Sequence, residues 1–123
     1  MPASMVSSGS QTFAAATTTQ TIPDLRNLAC RGIKVFLKTT VIGTGSITVT
    51  INHKNPADGT YTLALSGAAV ITNVVNVYTV YPTGIAAVAN VTAVDAITEF
   101  VQIVITANNA NAATYSVGWV LLP

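Results

Sequence analysis

Charge is what this sequence has least of. Five Lys and Arg and four Asp and Glu among 123 residues leave 7% charged side chains, against about 25% in an ordinary soluble domain. No charged residue falls between Asp58 and Asp95. A small monomer relies on surface charge to stay apart from its copies. A surface built of Thr, Asn, Ser, Ala and Val is therefore expected to be covered in large part by other subunits. The net charge of +1 provides no electrostatic footprint for nucleic acid. Cysteine is as scarce: Cys30 is alone, which excludes a disulfide within the chain and suits a small, partly buried apolar residue. Long hydrophobic runs are missing too. The uncharged span from residue 60 to 94 is broken by Asn73, Asn76, Pro82, Gly84 and Asn90, short of the roughly 18 unbroken apolar residues of a membrane helix, so no membrane partner is expected. Residues 1–20 hold no basic region followed by an apolar core and do not read as a secretory signal.

Groups for chemistry are equally sparse. His53 is the single histidine, and no GxSxG elbow or Cys-His signature accompanies it. Asp95 and Glu99 lie four apart on a loop leading into a strand, not on one helix face where two carboxylates would share a site. One His and one Cys offer no metal-ligand spacing. "GTGS" lacks the Lys of a phosphate loop and leads into a strand. No catalytic residue, cofactor or metal is expected, and the inventory favours a structural protein over an enzyme.

What is present is β signal. "RGIKVFLKTTVI" alternates, with Ile33, Val35, Leu37 and Val41 opposing Lys34, Phe36, Lys38 and Thr40. "SITVTINHK" sets Ile47, Val49 and Ile51 against Thr48, Thr50 and Asn52, and "GTGS" between the two runs predicts a hairpin. "TYTLAL", "VVNVYTVY", "EFVQIVITA" and "TYSVGWVLL" continue the pattern, and a further strand is expected over residues 12–19. Val, Ile and Thr dominate, and β-branched side chains favour a pleated surface. The shared phase places Val35, Leu37, Val49, Ile51, Leu63, Val77, Ile103, Val117 and Trp119 between two sheets. Seven or eight strands at this spacing predict an all-β, two-sheet antiparallel sandwich, jelly-roll-like, over residues 21–123. Residues 1–20, small and uncharged, are expected to form a flexible arm anchored by Phe13. "NPADG" reads as a turn: Pro56 fixes φ, Asp58 bonds nearby backbone, Gly59 tolerates positive φ, and the closing Glu of a calcium loop is missing.

Four of the five basic residues fall between positions 26 and 38. Lys34 and Lys38 share a strand face with Phe36. The ordinary reading is a solvated face; the sharper one is a cationic patch for an acidic protein partner. Arg31, Lys34, Phe36 and Lys38, with Phe13 from the arm, are the candidate partner contacts.

The motifs "RGIKVFLKTT", "SITVTINHKNPADGTYTLAL", "VYTVYPTGIAAVANVTA" and "EFVQIVITANNANAATYSVGWVLLP" together resemble a family of small proteins of tailed bacteriophages. That family's pattern runs Arg-Gly and a strand, a Ser-Ile/Val-Thr-Val strand, a Lys-Asp-Pro-Ala-Ser-Gly-x-Tyr turn, a Val-Tyr-Pro-Gly turn and a closing Thr-Tyr-Ser-Val-Gly strand. Here Arg31-Gly32, the turn Lys54 through Tyr61 and Thr114-Tyr115-Ser116-Val117-Gly118 match in order, while Tyr81-Pro82-Thr83-Gly84 carries one extra residue. Where family members have an Arg-rich strand, this chain has "EFVQIVITA". The resemblance, over residues 28 to 122, implies a virion component: a capsid cement or decoration protein on the outer surface of the shell. Its implied partners are the major capsid protein and further copies of itself, as dimer or trimer. The competing expectation is a head-fibre or tail module binding host glycans, which calls for exposed aromatic residues beside Asn or Asp in a cleft.

Overall fold

In a computed structural model, which describes residues 8–27 and 29–123, the described residues form nine strands and no helix. These are β1 (Ser8–Ala16), β2 (Gln20–Arg26), β3 (Gly32–Val41), β4 (Ile47–Lys54), β5 (Tyr61–Ser66), β6 (Val75–Val80), β7 (Thr92–Ala93), β8 (Phe100–Ala107) and β9 (Ala113–Leu122). No helix among the described residues is long and apolar enough to cross a membrane. Sheet A runs β1-β9-β3-β6-β7 and sheet B runs β2-β8-β4-β5. The antiparallel pairs nest: β1 with β9, β2 with β8, β3 with β6, β4 with β5. That nesting, divided over two sheets, is the jelly-roll arrangement. The predicted all-β sandwich is the fold, with nine strands among the described residues against the expected seven or eight, the two unforeseen being β2 and β7. β2 hides in "QTIPDLR", where Pro23 and Asp24 obscure the pattern and the pairing with β8 shifts register between Ile22 and Leu25. The other, β7, is two residues laid parallel to β6.

The core lies between the sheets. Val35, Leu37, Val49, Ile51, Ile103 and Val117 are fully buried, in the phase their alternation predicts. Four other inward readings differ: Leu63, Val77, Val41 and Trp119. Leu63 is 60% exposed. The β4–β5 ladder pairs Ile51 with Leu65 but Asn52 with Leu63, so Ala64 is an extra residue, a bulge that turns Leu63 outward with Asn52. Val77 is exposed because β6 pairs Leu37 with Asn76, Val35 with Tyr78 and Ile33 with Val80. It is Tyr78 and Val80 that are buried. Val41 is exposed for the same reason as Leu63: pairing of β3 with β9 shifts between Thr39 and Val41. Trp119 is only partly buried against the core, and its indole lies where a Cβ on Gly9 would sit.

The boundary expected at residue 20 does not coincide with the edge of the folded unit. Ser8–Ala16 pairs with β9 from Ser8↔Val120 to Ala16↔Ala113, and the expected strand at 12–19 therefore starts and ends earlier. Residues 1–7 of the expected arm lie outside the described residues. The turn in "NPADG" is closed as its residue types require. Asn55 Oδ1 accepts the Ala57 N–H at 2.9 Å and Asp58 Oδ1 the Thr60 N–H at 3.0 Å. Gly59 stands at φ +75, a left-handed value that favours glycine.

Candidate functional site

On β3 every second side chain leaves the core. Lys34, Phe36 and Lys38 project from the outer face of sheet A, where β9 and β6 flank them: Lys34 between Val120 and Thr79, Phe36 between Gly118 and Val77, Lys38 between Ser116 and Val75. Phe36 is 40% exposed and Val75 61%. Gly118 offers the Phe36 ring no side chain on one flank, and Val77 lies on the other. The result is an apolar strip with a lysine at each end, four residues apart and so about 13 Å along the strand. Neither lysine makes an ion pair with a carboxylate among the described residues.

Arg31 stands at the rim. Its guanidinium donates to the Tyr81 hydroxyl at 2.9 Å and lies 5.3 Å from the ring centroid, and Tyr81 in turn donates to the Pro123 carbonyl at 2.6 Å. A shallow groove of about 540 Å³, bounded by Lys34, Tyr81, Ile85 and Leu122, joins this rim to the strip. Four of the five sequence-chosen contacts, Arg31, Lys34, Phe36 and Lys38, thus gather on one side of the molecule. Phe13 does not join them. It sits in register with the buried Tyr115, ring centroids 5.3 Å apart, on the inner side of sheet A, where it closes the core as a partly buried wedge.

The carboxylates lie elsewhere and are engaged. Asp24 takes Lys54 at 3.2 Å and a hydrogen bond from the Tyr61 hydroxyl. Those two contacts, the hydroxyl first, hold its carboxyl below the usual range. The Lys54 ammonium also lies 5.2 Å from the Tyr61 ring and 5.1 Å from that of Phe100. Arg26 meets Glu99 at 3.2 Å. His53 Nε2 stands 3.8 Å from Asp95 Oδ2, while its buried Nδ1 has no partner among the described residues. Cys30 is buried, its main chain held by the Asn27 amide in both directions at 2.6 Å. No group of three or more His, Cys, Asp or Glu among the described residues is placed to hold a metal ion.

Sequence reasoning missed a second surface feature. A groove of about 490 Å³ runs along β6, walled by the β5–β6 loop and by residues 89–91. Ile71, at 64% exposure, is among the most exposed apolar side chains of the molecule. The available signal was "ITNVVNVY", an apolar run on both faces of a short strand, more than one core face can use.

No family model matches the chain, and no curated protein matches it. Among solved structures, the Drosophila NLP core, described in terms of pentamer formation and histone binding, aligns with 94% of this chain and 96% of its own at 15% identity and a TM-score of 0.34. At that score the likeness bears on neither the fold nor the function of this chain.

Proposed function

We propose that the protein is a structural virion component, a cement or decoration protein that lies on the outside of a phage capsid shell and ties neighbouring capsomers together. One observation carries the reading: the outer face of sheet A presents an apolar strip whose flanking cations, Lys34 and Lys38, have no ion-pair partner among the described residues. Such a face suits an acidic, partly apolar protein surface, with the aromatic side chain as anchor and the lysines fixing orientation. Self-association accompanies this function, because Phe36, Val75, Leu63, Val88 and Val94 are all exposed in the free molecule and apolar patches on a nearly uncharged surface favour cover.

The test is to mix the purified protein with shells of its phage stripped of it, and to count bound copies by quantitative mass spectrometry. A copy number that scales with the capsomers is expected. The double variant Lys34→Glu/Lys38→Glu, folded by circular dichroism, should lose the shell. A handful of copies confined to a tail or fibre would sink the proposal, as would undiminished binding of the charge-reversed variant.

A further inference from the structure

β6 is paired on one side only for half its length. Along a strand, successive main-chain groups point to alternate neighbours. Two sets of hydrogen bonds fix the alternation here. Thr39 donates to the Val74 carbonyl at 3.0 Å, so even-numbered residues of this segment face β3. Thr79 donates to the Val91 carbonyl at 3.0 Å and Tyr81 to that of Ala93 at 3.1 Å, so odd-numbered residues face β7. The β7 pairing reaches only Thr79 and Val80. The N–H and C=O groups of Val75 and Val77 therefore point past the end of β7, where no described residue pairs with them.

The groove of about 490 Å³ lies on this edge. Its floor is Val74, Val75, Asn76 and Val77, with Ile71 on one wall and Val91 on the other, and no charged side chain lines it. A second, independent observation points to a missing partner. Asn76, from the inner side of the same strand, lines the groove, and its buried Nδ2 donates to nothing among the described residues. A buried amide left without an acceptor carries a desolvation cost, which rotation of the Asn76 side chain toward an incoming carbonyl would remove.

We propose that this groove is a strand-acceptor slot whose occupant is an uncharged, extended segment of another protein. The segment lies beside β6 where β7 leaves off, exchanges main-chain hydrogen bonds with Val75 and Val77, and offers a carbonyl to Asn76. Small or β-branched side chains fit against Ile71 and Val91, and a charged one would be desolvated without a counter-charge. A second copy's sheet edge does not fit: the slot is recessed between two walls, and every described edge strand of this chain belongs to a sandwich two sheets thick. Strand addition of this kind draws affinity from the main chain and selectivity from alternate side chains. It holds whether or not the lysine-flanked face meets a shell.

The experiment uses the intact ¹⁵N-labelled protein and the blocked peptide acetyl-Thr-Val-Thr-Val-Thr-amide. The amide signals of Val75 and Val77 should shift saturably, and their hydrogen exchange should slow. Val77→Pro removes one outward N–H and leaves the β3 ladder intact; it should weaken peptide binding about tenfold. Should that variant fail to fold, Val91→Asp, on an exposed wall, should produce a comparable loss by placing a charge in the slot. Lys34→Ala should bind the peptide as the parent does, which separates this slot from the shell-facing strip. Unmoved Val75 and Val77 signals at the peptide's solubility limit would overturn the proposal, as would full binding by both slot variants. Protection of the two amides that grows with protein concentration alone, alongside a sedimenting dimer, would give the slot to a second copy and overturn the choice of occupant.

Discussion

Thr39 occupies a core position on β3, 3% exposed, with an Oγ1 that has no hydrogen-bond partner among the described residues. A buried hydroxyl without a partner costs free energy that a methyl of nearly the same size does not. Thr39→Val should therefore raise stability by about 1 kcal/mol in denaturant melts, and a loss of stability would reveal an acceptor for that hydroxyl. Tyr115 makes the opposite kind of statement. It is 1% exposed, and burial pushes its phenol up to about 12. A folded-state value above the unfolded value near 10 means the stabilisation is fully present below pH 10 and is lost as pH rises from 10 toward 12. The loss amounts to about 3 kcal/mol across that window. Tyr115→Phe should flatten the alkaline limb of a stability–pH curve, and an unchanged limb would mean that another group unfolds the protein there. In acid the sign reverses. Asp58, held below its usual range by the Thr60 N–H and then the Thr60 hydroxyl, and Asp24 contribute stability above about pH 4 that fades as pH falls below it.

Among the elements, β8 and β5 make a controlled pair. Ile103 is fully buried at the centre of sheet B, whereas Leu63, the same kind of side chain, is turned out by the bulge at Ala64. Ile103→Ala should cost about 2–5 kcal/mol, and Leu63→Ala less than about 0.5 kcal/mol. Equal losses would place Leu63 in the core after all. The contrast also marks what the sequence made legible. Strands whose two faces differ, such as β3 and β4, declared their inward side through period-two alternation. A bulge breaks that phase without changing composition, so Leu63 and Val41 read as inward. In β6 both faces are apolar, and only its register against Ile33, Val35 and Leu37 decides that Tyr78 and Val80 are the buried ones. The candidate face was legible where charge punctuates it, at Lys34 and Lys38. The groove beside β6 was legible only as the surplus apolar run "ITNVVNVY", because an unpaired strand edge is a property of neighbours rather than of residue type.

For the whole molecule, the lysine-flanked strip and the exposed β6 valines should govern behaviour in solution. Phe36→Ser combined with Val75→Ser removes apolar area from one face and touches no buried residue. Sedimentation at rising concentration should show weaker self-association for this variant than for the parent, with an unchanged melting temperature. Identical self-association would move the self-contact to another face, with the exposed Leu63 of sheet B as the next surface to alter.

The pairing of β1 with β9 has a consequence for how the molecule comes to be. Thr12 bonds Ser116 across 104 positions of chain, and β2 waits likewise for β8. During synthesis the first two strands emerge long before their partners exist, leaving β3 to β6 as the longest stretch able to pair early. Closing such distant ends is a slow step in folding, and half-made sheets with unpaired strands are prone to join one another. A chain with almost no charge has little to hold such intermediates apart. Refolding yield should thus fall steeply as protein concentration rises, even where the finished fold is stable, and a helper that shields nascent strands should raise the yield without altering the stability of the product.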